Sequence, residues 1–170
     1  LKAHNIPDDF KYLCVAESYL RNVISPAGAT GFWQFMKETG KKYGLEIRSQ
    51  IDERYNLEKS TAAACNYLKD AYEMFGSWTM AAASYNMGTN GARNQTQRQK
   101  ANSYFNLVLN EETSRYIARI VALKYIMQNA TKYGFDIWSD DLYHPLKYYQ
   151  VNLDSSVNDF ADFAALYNIN

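Results

Sequence analysis

The sequence has little of what several common protein classes require. Its 170 residues include two cysteines and two histidines, which excludes a disulfide-stapled miniprotein and a cysteine-rich zinc site. His4 and His144 lie far apart in the chain, so we expect no metal site. Internal repeats, low-complexity tracts and glycine-rich phosphate loops are missing too, and solenoids and nucleotide-binding folds therefore lack their usual signals. We expect the protein to work without a cofactor.

Net charge and long apolar runs are also missing. Eighteen basic residues balance eighteen acidic ones, which removes the broad positive field of a sequence-independent nucleic-acid binder. The longest apolar runs are five residues, 12–16 and 163–167, against the roughly 20 that span a bilayer. We therefore expect no nucleic-acid partner and no transmembrane helix. The first residues lack a basic segment followed by an apolar stretch, so we expect any export signal or lipid anchor to lie outside this sequence.

What the sequence does contain is the composition of a folded domain. Hydrophobic residues make up 47% and charged residues 21% of the chain, which argues against disorder. The length suffices for one domain and a short appendage. Fifteen tyrosines, eight phenylalanines and three tryptophans are present. We expect most of these rings to build the core and a minority to face a ligand, because tyrosine also lines sugar-binding grooves.

Apolar residues recur at helical spacing along most of the chain. The pattern predicts helices over about 10–20, 32–44, 61–75, 78–88 and 110–132, most of them ending at or near a glycine. The polar stretch 89–102 is expected to be an exposed loop or a marginal helix. Cys14 and Cys65 fall on apolar helix faces, where a thiol is most often a small hydrophobe, and a disulfide between them stays open.

The end of the chain has a different pattern. Residues 147–154 alternate and are partly β-branched or aromatic, which predicts a strand, and residues 155–170 are typical of a capped helix. The sequence therefore predicts a mostly α fold, a helical main body with a short β-then-α appendage at its C-terminus.

Glu17 stands out because it interrupts the apolar stripe of its own helix. Phe10, Leu13 and Leu20 share its face, so the charged form should be poorly solvated and its pKa should rise. A proton that is held near neutral pH is what a general acid requires. The alternative is structural, with Glu17 paired to Arg21 one turn later, or to another basic residue, as a buried ion pair. The pattern alone leaves both explanations open.

Motifs on either side of Glu17 resemble those of a known family. Residues 17–45 contain a Glu-Ser pair, then Ser-Pro-x-Gly-Ala, then Gly-Phe-x-Gln with Met two residues beyond. Residues 51–88 contain an Asp-Glu-Arg segment and an alanine-rich helix that ends in Tyr-Asn-x-Gly, and residues 111–126 contain Glu-Thr-x-x-Tyr. Over about residues 6–137 the chain resembles the lysozyme-like lytic transglycosylases of the soluble-lytic-transglycosylase-like family. The resemblance implies a lysozyme-like catalytic domain over residues 1–137 and an extension over residues 138–170.

The resemblance implies that Glu17 is the single catalytic acid and base. Family members cleave peptidoglycan between N-acetylmuramic acid and N-acetylglucosamine without water as the nucleophile. Glu17 would protonate the glycosidic oxygen, and the sugar's own acetamido group would meet the oxocarbenium-like charge. The resulting carboxylate would then accept the proton of the muramyl 6-hydroxyl, which closes a 1,6-anhydro ring. One carboxylate serves both steps, whereas most glycosidases need two.

The same matching implies substrate-binding roles for three residues that follow Glu17. Ser25 and Gln34 would hydrogen-bond the sugar or its acetamido group, and Met36 would form an adaptable apolar wall. Each also has a structural explanation. A serine before proline is often a turn former, Gln34 could be an exposed helix residue, and Met36 could belong to the core.

Two further pairs match the family on later helices. Tyr85 and Asn86 match residues that orient the acid, Tyr85 by its hydroxyl, although a buried tyrosine can also be satisfied by the backbone. Glu112 and Tyr116 are four residues apart, so both can reach one wall of a cleft. Glu112 could equally be a first-turn acid that the helix dipole favours. Asn110 stands where relatives usually have proline.

Two other functions stay open at this point. A goose-type lysozyme-like hydrolase would use Glu17 as acid, with Asp52 or Glu112 positioning a water, and a catalytically idle domain would only bind glycan. The resemblance implies peptidoglycan glycan strands as partner and a monomer in the periplasm or cell envelope, lipid-anchored or exported as part of a longer protein. The extension is expected to be the edge of a LysM-like wall-binding module or the linker to one.

Overall fold

The computed structural model describes residues 1–143 and 151–168. Its described residues form seven α-helices: α1 (Phe10–Ser18), α2 (Lys37–Lys42), α3 (Leu57–Phe75), α4 (Trp78–Met87), α5 (Thr89–Gln99), α6 (Glu111–Gln128) and α7 (Phe160–Leu166). Short 3₁₀ turns lie at Lys2–His4, Glu53–Tyr55, Tyr104–Asn106, Ala130–Tyr133 and Ser139–Asp141. Contacts divide the chain into two units, Leu1–Phe135 and Asp136–Asn170. The mostly α fold predicted from the sequence is confirmed.

Side-chain caps begin the three main helices of the first unit. Asn56 accepts a hydrogen bond from the Lys59 backbone N–H at the start of α3, and Ser77 caps α4 in the same way. Asn110 accepts from the Thr113 N–H and caps α6. Each cap satisfies a backbone donor that the first helical turn leaves without a partner.

The core of the first unit joins α1, α3, α4 and α6. Small side chains let these helices approach closely, since Ala64 and Cys65 of α3 and Ala81 of α4 are fully buried. Leu13 of α1 is also fully buried in this cluster. Cys14 and Cys65 are both buried free thiols, so they act as small hydrophobic residues.

The helix predicted over residues 32–44 is wrong in its first half. Only Lys37–Lys42 is helical, because Thr30 and Phe35 exchange two backbone hydrogen bonds, at 3.0 and 3.2 Å, across a tight turn. Gln34 lies in this turn with a left-handed φ of 48°, which a continuous helix cannot contain. Gly31 is required there, because a Cβ atom on it would lie 2.1 Å from the Arg54 carbonyl oxygen.

The polar stretch 89–102 is a regular helix for most of its length. The expectation was an exposed loop or a marginal helix, and α5 runs through eleven of these residues before Lys100 ends it in the left-handed region. Ala92 is its one buried residue. Ala92 packs with Met80, Ala83 and Tyr104 in a small second cluster, so a single apolar position anchors the helix.

The second unit contains α7, which confirms the helical part of the predicted appendage. The Asp159 side chain accepts from the N–H groups of Ala161 and Asp162 and caps this helix. Of the strand predicted over 147–154, residues 147–150 lie outside the described part of the chain, and residues 151–154 form no strand. None of the described helices combines the length and the apolar character that crossing a membrane would require.

Candidate active site

Glu17 lies at the C-terminal end of α1, in the last turn before the chain changes direction. Tyr19 and Leu20 follow with left-handed φ values of 52° and 56°, which ends the helix immediately after Ser18. The buried Ser18 hydroxyl donates to the Phe32 carbonyl at 2.8 Å. This contact joins the end of α1 to the turn that carries Gln34, so the two parts of the sequence motif meet in space.

The Glu17 carboxyl is half-buried and hydrogen-bonded to a tyrosine from a distant helix. The hydroxyl of Tyr116, in the second turn of α6, donates to Glu17 Oε1, and Tyr116 itself is 1% exposed. The part of the chain that the structure describes shows no ion pair between Glu17 and Arg21 or another basic residue. The structural alternative from the sequence, a buried ion pair, is therefore not what holds this carboxyl.

Burial dominates the protonation of Glu17. The pKa of Glu17 is raised from 4.5 to about 6, and loss of solvation is the largest cause; the Tyr116 hydrogen bond and Arg119 lower the pKa, and the Glu112 charge raises it. Since the carboxyl is protonated at mildly acidic pH and ionised above it, the group can both give and take a proton near neutrality.

Four of the predicted substrate-binding residues line one cleft of about 280 Å³. They are Gln34, Met36, Tyr85 and Asn86, and the walls are completed by Phe35, Thr39, Tyr67, Met87 and Gly88. The Met36 side chain is 47% exposed, which places it on the surface rather than in the core. The cleft therefore combines apolar, aromatic and amide groups, as sugar-binding clefts do.

The Tyr85 hydroxyl does not donate to the acid. It donates to the Trp33 carbonyl at 2.8 Å. This hydrogen bond joins α4 to the turn that carries Gln34. The hydroxyl that donates to Glu17 is that of Tyr116. Burial raises the pKa of the Tyr85 phenol, and the nearby Glu17 charge adds to that increase.

The side chains of Ser25 and Gln34 both form hydrogen bonds within the loop between α1 and α2. The Ser25 hydroxyl oxygen accepts from the Ala29 N–H at 3.0 Å, as a turn-forming serine does. The Gln34 amide nitrogen donates to the carbonyls of Gly31 at 2.7 Å and Val23 at 3.1 Å. Among the described residues the Gln34 carbonyl oxygen has no hydrogen-bond donor, so it is the acceptor that this side chain can offer to a ligand.

Arg54 is an organising residue that the sequence analysis missed. Its guanidinium binds both carboxylate oxygens of Asp52 and also donates to the carbonyls of Gly28 at 3.1 Å and Phe35 at 3.0 Å. Arg54 is 8% exposed, and the pair lowers the pKa of Asp52. The Asp-Glu-Arg motif was the available signal, but its spacing does not show which carbonyls the arginine reaches.

Asn86 and Glu112 meet at the junction of α4 and α6. Asn86 Nδ2 donates to Glu112 Oε1 at 3.0 Å, although the two residues are 26 positions apart. Glu112 is exposed in the first turn of α6. In the described part of the chain, no three histidine, cysteine or acidic side chains lie close enough together to hold a metal ion.

The first unit combines a mostly helical fold, as lysozyme-like domains have, with a half-buried carboxyl of raised pKa and a cleft lined by amide and aromatic groups. The chain belongs to the Transglycosylase SLT domain family, whose profile matches residues 2–108. It is similar to membrane-bound lytic murein transglycosylase D from two strains of Escherichia coli, with 31% identity over 147 residues in each case. These matches cover 83% of this chain and 32% of each relative, so the chain spans about a third of their length. The family resemblance found in the motifs is confirmed.

Proposed function

We propose that this chain is the catalytic domain of a peptidoglycan lytic transglycosylase. It cleaves the β-1,4 bond between N-acetylmuramic acid and N-acetylglucosamine and leaves 1,6-anhydromuramic acid ends. The observation that carries this proposal is the single half-buried Glu17, with a pKa raised to about 6 and a hydrogen bond from Tyr116, in a domain of the SLT family.

The first step is proton transfer from Glu17. The neutral carboxyl gives its proton to the glycosidic oxygen as the bond from that oxygen to the muramyl anomeric carbon breaks. The electron pair leaves with N-acetylglucosamine, and the muramyl acetamido oxygen binds the anomeric carbon. Glu17 is then a carboxylate, which the Tyr116 hydroxyl stabilises by hydrogen bonding.

The second step uses the same carboxylate as base. Glu17 takes the proton of the muramyl 6-hydroxyl, and the oxygen attacks the anomeric carbon and displaces the acetamido oxygen. The 1,6-anhydro ring forms, Glu17 regains its proton, and no water is consumed. A carboxyl with a pKa of about 6 serves both directions of transfer, because neither protonation state is strongly favoured near neutral pH.

The other predicted residues bind the glycan. Gln34, Met36, Tyr85 and Asn86 line the cleft. The Gln34 carbonyl accepts from a sugar hydroxyl or acetamido N–H, and Met36 packs on a pyranose face.

Three residues outside the lining of this cleft complete the proposed site. Ser25 donates its hydroxyl proton to the sugar, Glu112 accepts from the glycan next to Asn86, and Tyr116 orients the acid. Tyr116 thereby takes the role that the family resemblance assigned to the Tyr85 hydroxyl.

The hydrolase alternative needs a second carboxylate to position a water, and its two candidates are Asp52 and Glu112. Both oxygens of Asp52 accept hydrogen bonds from Arg54, so this residue is not placed to activate a water. Glu112 bonds the Asn86 amide and is exposed, which leaves it as the one candidate base that a hydrolytic reaction would use.

We also propose where the domain acts. The relatives are called membrane-bound murein enzymes, and peptidoglycan lies outside the cytoplasmic membrane. The domain therefore works on glycan strands in the cell envelope, as a monomer and as part of an exported or lipid-anchored protein. We place the catalytic domain at residues 1–137 and assign residues 138–170 to the edge of a LysM-like wall-binding module, or to the linker leading to one.

The test of this proposal is product analysis on purified sacculi with the wild type, Glu17→Gln and a control, Glu73→Gln, which changes an exposed glutamate of α3. We expect wild type and control to release anhydro-muropeptides that are one water lighter than lysozyme products. Glu17→Gln should fold and bind sacculi without digesting them. Release of reducing-end muropeptides alone would overturn the transglycosylase, and an unchanged rate for Glu17→Gln would remove Glu17 from the mechanism.

A further inference from the structure

The threonine of the Glu-Thr-x-x-Tyr motif, to which the resemblance assigns no role, is buried next to the Asn86–Glu112 pair. Thr113 is the third residue of α6 and is 1% exposed. Its backbone N–H is satisfied by the Asn110 cap at 2.8 Å. Its hydroxyl donates to Asn86 Oδ1, on the neighbouring helix, at 2.8 Å.

These contacts form a chain of hydrogen bonds with one direction. Thr113 donates to the Asn86 carbonyl oxygen, and the Asn86 amide nitrogen donates to Glu112. The direction is fixed by chemistry, because an ionised carboxylate can only accept and must meet the nitrogen of the amide. An amide rotated by half a turn would instead bring its oxygen against the Glu112 carboxylate and be repelled.

We infer that Thr113 is a positioning residue: its hydroxyl fixes the orientation of the Asn86 amide, and the amide in turn holds the Glu112 carboxylate beside the cleft. The inference rests on the proposed function, because it concerns how the same site is organised. It gives a role to a residue that does not itself line the cleft and forms no hydrogen bond with Glu17. Asn86, by contrast, lines the cleft. The chain of hydrogen bonds therefore begins at the buried Thr113 hydroxyl and ends at the proposed site.

The position of Glu112 matters because its charge acts on the catalytic acid. Glu112 raises the pKa of Glu17, whereas Arg119 and the Tyr116 hydrogen bond lower it. The titratable groups that act on Glu17, or respond to its charge, are Glu112, Tyr116 and Arg119 of α6, Tyr85 of α4 and Cys14 of α1. Among these groups Glu112 is an exposed carboxylate, and the hydrogen bond from the Asn86 amide determines where it lies.

Loss of the Thr113 hydroxyl should therefore change the pH dependence of the reaction. In Thr113→Val the Asn86 amide oxygen loses the donor that holds it against α6, so the amide shifts from its place, and Glu112, which is exposed, moves toward solvent and away from Glu17. The pKa of Glu17 then falls. Because the reaction needs protonated Glu17, the basic limb of the kcat/KM profile should move to lower pH by about half a pH unit.

The experiment measures digestion of sacculi from pH 4 to 9 for the wild type, Thr113→Val, Thr113→Ser and Ser114→Ala. Thr113→Ser keeps the hydroxyl and should restore the wild-type basic limb. Ser114→Ala removes the next hydroxyl of α6, which is exposed and bonds only the Glu111 carbonyl, and it should match the wild type. Thermal melting of each variant separates a loss of folded protein from a shift of the profile.

A second pair of variants tests the route through Glu112. In a Glu112→Gln background, addition of Thr113→Val should produce no further shift, because the charge that Thr113 positions is already gone. Should Thr113→Val fail to fold, Asn86→Ala breaks the same chain at a half-buried position and is expected to give the same shift to lower pH.

The outcomes are distinguishable. A basic limb of Thr113→Val that coincides with the wild type, or a further shift in the Glu112→Gln background, overturns the positioning role while the wild type still makes anhydro products. Absence of anhydro products from the wild type overturns the proposed function itself.

Discussion

At the residue scale, the chemistry of the site is set by the burial of one carboxyl and by the opposing effects of its neighbours. Burial and the Glu112 charge raise the pKa of Glu17, and the Tyr116 hydrogen bond lowers it. The sequence could predict the shielding, because the apolar stripe of α1 is local. It could not predict which tyrosine donates to Glu17, since Tyr116 is 99 residues away and Tyr85 was the expected donor.

Tyr116→Phe should shift the pH profile in the direction opposite to Thr113→Val. Without the hydroxyl, the Glu17 carboxylate loses a hydrogen bond that favours its charged form, so its pKa rises. The basic limb of the kcat/KM profile should move to higher pH by about one unit, which corresponds to ~1.4 kcal/mol. The control is Tyr133→Phe, which changes a 45% exposed tyrosine. A Tyr116→Phe limb at or below the wild-type pH would contradict this assignment.

Glu17→Gln should stabilise the protein at alkaline pH. The pKa of Glu17 in the folded protein is about 6, above its ordinary value of 4.5. The protonated carboxyl therefore makes its full contribution to the free energy of unfolding below pH 4.5, and this contribution is lost as the pH rises through 6. Above that range the buried charge costs about 2 kcal/mol, and neutral glutamine avoids this cost while still accepting from Tyr116.

Denaturant unfolding at pH 4 and pH 8 measures this effect. We expect the free energy of unfolding of Glu17→Gln to exceed that of the wild type at pH 8 and to match it at pH 4. The exposed control Glu73→Gln should show no such difference. A Glu17→Gln variant less stable than wild type at pH 8 would show that the carboxyl is well solvated or paired.

At the element scale, the loop between α1 and α2 is built by contacts that helical periodicity does not reveal. Residues 32–36 carry an apolar pattern that fits a helix, yet the Thr30–Phe35 backbone pair and Arg54 fold them into a turn. Both contacts involve partners outside the pattern itself, and the Arg54 side chain comes from 19 residues further along. The turn is what puts Gln34 and Met36 on the cleft.

Arg54→Lys should loosen this loop. A single ammonium cannot bind Asp52 in the bidentate manner and also reach the carbonyls of Gly28 and Phe35, so acceptors that are now satisfied lose their donors. We expect a loss of stability on the order of 2 kcal/mol and a raised KM for sacculi, because Gln34 is displaced.

The matched control is Arg98→Lys on α5, whose guanidinium bonds only the Gln95 side chain at an exposed position. This variant should keep wild-type stability and KM. Unchanged unfolding and unchanged KM in Arg54→Lys would mean that the loop does not depend on the guanidinium.

At the scale of the whole molecule, the fold and the site were predictable to different degrees. Periodicity and glycine ends predicted the main helices, because amphipathic helices carry a strong local signal. The order of the motifs predicted the family. The contacts between side chains in the site join segments that are distant in sequence, so the motifs did not reveal them. The helix α5 was uncertain because Ala92 is its one buried residue, which leaves little apolar periodicity for a pattern to detect.

In the proposed reaction, Glu17 cleaves peptidoglycan without consuming water. The most direct measurement is digestion of sacculi in water labelled with heavy oxygen, followed by mass analysis of the released muropeptides. We expect 1,6-anhydromuramic acid ends that contain no label, because the muramyl 6-hydroxyl supplies the attacking oxygen. Reducing muramic acid ends that carry the heavy oxygen, formed at the wild-type rate, would contradict it.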